Sequence, residues 1–317
     1  MKAGLISLGS TSSQWTIEAM KDYFDEVVDL NLKKLEVSIS GRNAQILYNG
    51  DPLGEYDCIY AKGSFRYKNI LRTITTIKHK DCFMPINTES FTVAHDKLLT
   101  QLMLQSHDIP MPTTYISSGI ESARNLLKKV NYPVVMKFPE GTQGKGVMFA
   151  DSYSSASSIL DAMNALKQGF IIQEYIETQN SDIRAFVIGD EVVASMIRIG
   201  RSDEKRANLH AGGTGEEYPL SPETKKIAVK AAKATGADIC GVDLLEGPKG
   251  PLVIESNISP GLQGITKHTD TDVADKIAEY LHDKSKERLK EEDKKNSKEI
   301  MADVNNKGSL ITNVDIR

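Results

Sequence analysis

The run Leu252-Val253-Ile254-Glu255-Ser256-Asn257-Ile258-Ser259-Pro260-Gly261 constrains this chain more than any other stretch. Leu252-Val253-Ile254 is a short apolar segment bounded by turn residues, the pattern of a buried strand. Glu255 and Asn257 stand two apart at its end, so an extended backbone aims both side chains at one face. A carboxylate beside an amide oxygen is a hard-oxygen set suited to Mg²⁺. Upstream lies a second candidate strand, Ile239 to Leu245, with one acid, Asp243, inside its apolar run. Joined through Glu246-Gly247-Pro248-Lys249-Gly250, the two strands make a hairpin that presents Asp243, Glu255 and Asn257 to one point. Either acid alone reads as a carboxylate exposed at a strand end. The paired strands favour the metal.

At 317 residues the chain has room for two or three subdomains, each with a core. Its 26% charged residues and net charge of −4 lack the basic footprint of a general nucleic-acid binder. No apolar run approaches the ~20 residues of a membrane span, and the N-terminus reads as a strand without a signal-type cleavage site. Cys58, Cys82 and Cys240 are odd in number and lack metal spacing, which predicts reduced, part-buried thiols and a cytoplasmic protein.

Ala3 to Leu8 reads as a strand, then Gly9-Ser10-Thr11-Ser12-Ser13 feeds a helix over 15–23. That turn suits an anion or, more simply, helix capping; without G-x-G-x-x-G it does not support a dinucleotide site. Strand patterns at 27–30, 44–48 and 58–60 continue an α/β unit that closes near residue 90. From Val93 to His107 the pattern is helical, with Leu98, Leu102 and Met103 on one face and Asp96-Lys97 near its start. An extended linker, 109–116, leads to a helix over 121–130.

Val134-Val135-Met136-Lys137-Phe138 is a strand carrying one lysine, and a buried lysine is costly unless an anion meets it. Glu140-Gly141-Thr142-Gln143-Gly144-Lys145-Gly146 follows, before a strand at Val147-Met148-Phe149. Its glycines suit a loop whose amides wrap phosphate, and equally a glycine-rich hairpin with no ligand. After a helix over 154–166, the strand Phe170 to Ile176 turns polar at its end, as a hinge to a base and ribose does. Asp182 to Ile188 and Glu191 to Arg198 form a hairpin with Arg184 and Arg198 on opposite arms. The loop 201–215, with Arg206, Asn208 and His210, suits a polyanion or carboxylate; standing alone it reads as a solvated loop. A helix over 222–236 precedes the acid-bearing hairpin, and another over 271–281 closes the folded unit. Lys284 to Glu299 is mostly Lys, Glu and Asp, so residues 284–317 are expected as a charged, mobile tail, helical at most in part.

Together these stretches resemble the ATP-grasp superfamily and, within it, the RimK-like glutamate ligases. The motifs Val134-Val135-Met136-Lys137, Glu140-Gly141-Thr142-Gln143-Gly144, Gln173-Glu174-Tyr175-Ile176, Asp182-Ile183-Arg184, Ala207-Asn208-Leu209-His210, Gly241-Val242-Asp243 and Ile254 to Leu262 occur in the family's order. The resemblance implies an α/β (α+β) ATP-grasp fold: a pre-ATP-grasp α/β domain at 1–92, an ATP-grasp domain at 93–283 with its lid at about 113–176, and a C-terminal antiparallel sheet. It implies that Lys97, Lys137 and the loop with Gly141, Gly144, Lys145 and Gly146 meet ATP phosphates. Gln173, Glu174, Tyr175 and Ile176 would form the adenine hinge, and Asp182 would bind ribose. Arg206, Ala207 and Asn208 would line the phosphates, and Asp243, Glu255 and Asn257 would hold Mg²⁺ or Mn²⁺, two ions in all. Arg184, Arg198, Arg206 and Asn208 would serve the chemistry, the first two on the amino acid or acceptor.

The implied reaction phosphorylates a carboxylate, and an amine then attacks the acyl phosphate to give an amide. Such chemistry needs positioning and charge neutralisation rather than a protein nucleophile, which agrees with the absence of a serine or cysteine triad. The implied partners are L-glutamate and an acceptor with a terminal carboxylate, in a homo-oligomer with no membrane or nucleic-acid role. The acceptor is a ribosomal protein's C-terminus, a glutamyl pterin or deazaflavin coenzyme, or a biosynthetic carrier protein. A non-catalytic ATP-binding sensor is the reading from another class. One departure concerns the acceptor: Ala211 stands where close relatives carry an arginine, and alanine supplies no carboxylate clamp.

Overall fold

The computed structural model describes residues 1–139, 146–200 and 213–311, from 296 onward as backbone only. The first unit runs β1 (Lys2–Ser7), α1 (Thr11–Met20), β2 (Glu26–Asn31), β3 (Leu35–Ser40), β4 (Asn43–Tyr48), β5 (Asp51–Pro52), β6 (Cys58–Ala61) and α2 (Lys68–Lys78). β1 lies between β2 and β6, parallel to both, and its burial on both faces matches its continuous apolar run. β3, β4 and β5 form a separate antiparallel ribbon. Ser10 caps α1 by accepting from the Ser13 N–H, so the serine-rich turn does cap the helix.

α3 (Ser90–Val93) and α4 (Lys97–Ser106) connect to the next unit, and Asp96 caps α4 through the Leu98 and Leu99 N–H groups. The face expected to be buried is not the one that is. Leu102 is 55% exposed, whereas Thr100, Gln101 and Leu104 are buried. The helix turns its polar side to the two sheets because Thr100 donates to the Val93 carbonyl and Gln101 accepts from Thr114.

The lid comprises β7 (Thr114–Tyr115), α5 (Ile120–Leu127), β8 (Val134–Lys137), β9 (Val147–Ala150), α6 (Tyr153–Ala165) and β10 (Ile171–Glu174). Its antiparallel sheet has the order β7-β10-β8-β9 and packs on α5 and α6 through Leu127, Met136, Leu160, Met163 and Ile172. The body follows with β11 (Ser181–Ile188), β12 (Glu191–Ile199), β13 (Thr214–Glu217), α7 (Pro222–Ala234), β14 (Ile239–Gly247), β15 (Gly250–Asn257), α8 (Gln263–His268) and α9 (Val273–Ile311). Its five strands are antiparallel in the order β13-β12-β11-β14-β15.

The body and the N-terminal unit share one apolar core, in which Leu5, Tyr60 and Phe91 pack in the same cluster as Phe186, Val242 and Leu281. The lid core stands apart. α9 runs on past the expected end of the folded unit, so the mobile tail is corrected for its first turns. Ser285 is fully buried, and Arg288 donates to the Lys80 carbonyl of the N-terminal unit. Average composition hid this. Ile277, Ala278, Leu281 and Ser285 recur at helical spacing, and that stripe faces the core although the flanking residues are charged.

Candidate active site

Strand register assembles the ionisable groups. Across β11, β14 and β15, Arg184 stands opposite Asp243 and Asp243 opposite Glu255; across β11 and β12, Asp182 stands opposite Arg198. Directly opposed residues of antiparallel strands share a face, so all five lie on one side of the sheet. Asn257 joins them two residues beyond Glu255, opposite Gly241. A bulge at Ile254 sits just before Glu255 and turns the strand end toward the cleft. The absent side chain of Gly241 makes room: a Cβ there would come within 3.1 Å of both Arg184 Nη1 and Pro260 Cβ.

Both arginines are paired with acids of the sheet. Arg184 embraces Asp243 through Nε and Nη2, the latter at 2.8 Å from Oδ2. Arg198 holds Asp182 with Nε and Nη2 at 2.6 and 2.7 Å, and its Nη2 also reaches Asp243 Oδ2 at 3.0 Å. All four side chains are close to buried, at 8–14% exposure. Burial pushes the Asp182 carboxyl up to about 6, with the neighbouring Asp243 charge adding to it against Arg198. Burial opposes the Asp243 charge too, but the two guanidiniums outweigh it and hold that carboxyl below its usual range. Asp182, expected on ribose, has both oxygens engaged by Arg198.

On the lid side, Lys137 Nζ donates to Gln173 Oε1 at 2.6 Å, and Gln173 Nε2 donates to Thr114 Oγ1 at 2.8 Å. Burial lowers the Lys137 ammonium to about 8; Glu255 across the cleft pulls it up and Lys97 pushes it down. Lys137 therefore sits within electrostatic reach of both Lys97 and Glu255. The Lys97 N–H donates to the Pro139 carbonyl at 3.2 Å, which holds the start of α4 against the end of β8. Gln173 is buried, and its amide oxygen accepts from Lys137. Past Glu174, whose N–H donates to the Thr113 carbonyl, the chain leaves the sheet through Tyr175 and Ile176, and the Tyr175 ring meets Phe149 edge-on at 6.0 Å.

Gly141, Gly144, Lys145, Arg206, Ala207, Asn208, His210 and Ala211 lie outside the described residues. Gly146 is described, with φ +80; its carbonyl accepts from Phe138 N–H, and a Cβ there would run into the Phe138 ring. Among the described residues no three His, Cys, Asp or Glu side chains cluster as metal ligands. Glu255 and Asn257 nevertheless fit a divalent cation by donor type and shared face, beside Asp243, whose two oxygens also accept from Arg184 and Arg198. The Asn257 amide oxygen is already oriented by the Ser259 N–H at 3.0 Å. Sequence reasoning missed the Gln101–Thr114–Gln173 chain behind Lys137, which carries no signal in spacing.

Two antiparallel sheets, one carrying Lys137 and the other Asp243, Glu255 and Asn257, are the arrangement expected of an ATP-grasp ligase. The comparisons take this further: a RimK-like ATP-grasp domain matches residues 94–281, and the chain belongs to that family. It is 37% identical over 290 residues to the probable alpha-L-glutamate ligase of Vibrio cholerae serotype O1, across 89% of this chain and 95% of the relative. It is 38% identical over 290 residues to the corresponding protein of Aliivibrio fischeri, with the same coverage. Among solved structures, ATP-grasp ligase PsnB complexed with minimal precursor, Mg and ADP superposes with a TM-score of 0.70 at 16% identity, over 90% of this chain and 98% of that one. The RimK domain ATP-grasp protein from Sphaerobacter thermophilus gives 0.69 at 19% identity, over 89% and 99%. At those identities the structural likeness is one of fold. The protein is an enzyme, a carbon–nitrogen ligase of the ATP-grasp class, and ligases of this class bind ATP and Mg²⁺. No described helix is long and apolar enough to cross a membrane.

Proposed function

We propose that the enzyme joins the amino group of L-glutamate to the terminal carboxylate of a peptide or protein acceptor. An acceptor carboxylate oxygen attacks the γ-phosphorus of ATP, the bond to the bridging oxygen breaks, and ADP leaves. The glutamate nitrogen then attacks the acyl carbon, phosphate departs, and the nitrogen loses its proton. Lys137, at the end of a buried strand and held by the neutral amide of Gln173, carries this reading, because transferring a phosphoryl group between two anions requires fixed positive charge beside it. Mg²⁺ bound to Asp243, Glu255 and Asn257 would neutralise phosphate charge.

Lys137 is poised for this task, held by a neutral amide rather than a carboxylate, so its charge stays available to a phosphate. Tyr175 and Ile176 fit an adenine edge, since there the chain leaves the sheet. The glycine-rich loop 141–146 would close over the phosphates. Arg184 and Arg198 would set the charge and position of Asp243 rather than grip substrate. The names of the curated relatives support glutamate, and the precursor-bound structural neighbours support a peptide acceptor.

The test supplies ATP, Mg²⁺ and L-glutamate with a glutamate-ending peptide, a glutamyl coenzyme or a carrier-protein C-terminus. The expected result is ADP release matched by one or more glutamyl mass increments on the peptide. An increment only with another amino acid, or on none of the acceptors, would overturn it.

A further inference from the structure

Among the described residues, a lysine stands at the end of a buried strand at Lys137 and directly after one at Lys62. Lys62 directly follows β6, whose four residues are all buried, and it is only 5% exposed. An ammonium has three hydrogens to donate. Among the described residues, that of Lys62 reaches a single acceptor, the Pro260 carbonyl, at a long 3.4 Å. The Tyr60 ring centroid lies 5.4 Å from Nζ, and the Tyr60 hydroxyl is itself buried with no hydrogen-bond partner. Among the described residues no carboxylate is paired with it, and burial pushes the amine down to about 8. A clasp on one carbonyl needs only a neutral donor, so burying a full charge there is a cost without a structural return.

The surroundings place this charge beside the reaction. Gly63 N–H donates to Ser259 Oγ at 3.1 Å, Leu262 N–H to Ser12 Oγ at 2.8 Å, and Ser12 Oγ to Gln263 Oε1 at 3.0 Å. Segments 9–13 and 62–64 of the N-terminal unit therefore grip 259–263, the segment that directly follows Glu255 and Asn257. Pro260 stands between Lys62 and the active-site quartet: its carbonyl faces Lys62, and its Cβ crowds Gly241 beside the Arg184 guanidinium. Along these segments Gly9, Ser10 and Thr11 are exposed and Gly63, Ser64 and Ser259 are half-buried.

We propose that Lys62 binds a substrate carboxylate in the seam between segments 9–13, 62–64 and 259–263. This rests on the ligase reading above and names a subsite within it. The anion is a carboxylate rather than a phosphate because Lys97 and Lys137 already serve the nucleotide from the lid side, across the cleft. Both substrates carry carboxylates, that of the incoming amino acid and that of the acceptor.

Lys62→Met keeps the length of the side chain and removes the charge; Lys62→Arg restores a cation. Steady-state kinetics with glutamate, acceptor peptide and ATP varied separately should show KM for one carboxylate substrate raised about 10- to 100-fold in Lys62→Met, as expected for loss of a charged hydrogen bond. KM for ATP should hold, the Arg variant should recover part of the loss, and the melting temperature of Lys62→Met should equal or exceed that of the wild type. A rise in KM for glutamate assigns the subsite to the amino acid; a rise for the peptide assigns it to the acceptor. Unchanged KM for both, a rise confined to ATP, or a lower melting temperature with unchanged KM would overturn the inference. Calorimetric titration of both proteins with L-glutamate and with the peptide separates the two readings. A wild-type enzyme that binds either one but forms no product sinks the glutamate-ligase reading alone. Equal binding by wild type and Lys62→Met sinks the Lys62 site whatever the turnover.

Discussion

Lid and body are both antiparallel sheets backed by helices, yet they treat buried charge in opposite ways. The lid holds Lys137 against the neutral amide of Gln173, and the ammonium keeps unmet demand for an anion. The body matches Arg184 and Arg198 with Asp243 and Asp182, so its cations are met from within. Their cores differ in the same sense. The lid core is small and closed on itself, whereas that of the body continues through the N-terminal unit into α9. A buried cation paired with an acid serves the fold, and one paired with a neutral group waits for a ligand. Lys62 lies beside the body core but belongs with Lys137 by this criterion.

The largest test of the contrast removes one arginine of the body. Arg198→Met leaves Asp182 and Asp243 buried with only Arg184 between them. The expected loss is about 3–5 kcal/mol in urea-induced unfolding, the usual penalty for stranding a buried charge. Stability within error of the wild type would show that the quartet is solvated and its pairing incidental.

Next in size is the separation of cores. Leu160→Ala empties space in the lid and should cost about 2–5 kcal/mol there. Hydrogen exchange should quicken in β8, β9 and β10 while β11 and β14 keep their protection. Equal loss of protection in both sheets would mean that the cores unfold as one.

Glu255→Gln comes third, since it removes the carboxylate that faces Lys137 without altering shape. Turnover should fall at least ~10²-fold, the scale of a key electrostatic group, with the fold intact by circular dichroism. Normal turnover at limiting Mg²⁺ would take Glu255 out of the site.

The smallest effect concerns Lys62 and pH. Its folded value of about 8 lies below the ordinary lysine value, so between the two the unfolded chain holds a proton that the folded one has lost. Stability of the wild type relative to Lys62→Met should therefore rise with pH from about 8 upward, by at most ~1.4 kcal/mol per pH unit. A flat difference over that range would show that the ammonium is solvated in the folded protein.

Much of the site was legible in the residues because the signals are local. Glu255 and Asn257 two apart on a strand, a lysine at the end of Val134–Lys137, and caps at Ser10 and Asp96 depend only on neighbours in sequence. The same local signal at Lys62 was present and went unread, since Cys58-Ile59-Tyr60-Ala61 precedes it as Val134-Val135-Met136 precedes Lys137. The pairing of Gln173 with Lys137 carries no signal in spacing, because the two lie 36 positions apart.

The sequence by itself determined the hairpin that carries Asp243, Glu255 and Asn257, and the family to which they point. Backbone propensity and apolar periodicity act over a few residues, so they survive without a fold. Only the tertiary structure decided that Arg184 and Arg198 face acids, that α4 buries Thr100 and Gln101 instead of Leu102, and that α9 packs through Ser285. Each depends on which distant surface a side chain meets. Register places Arg184 opposite Asp243 across 59 positions, and whether a charge is balanced or left waiting follows from that meeting alone.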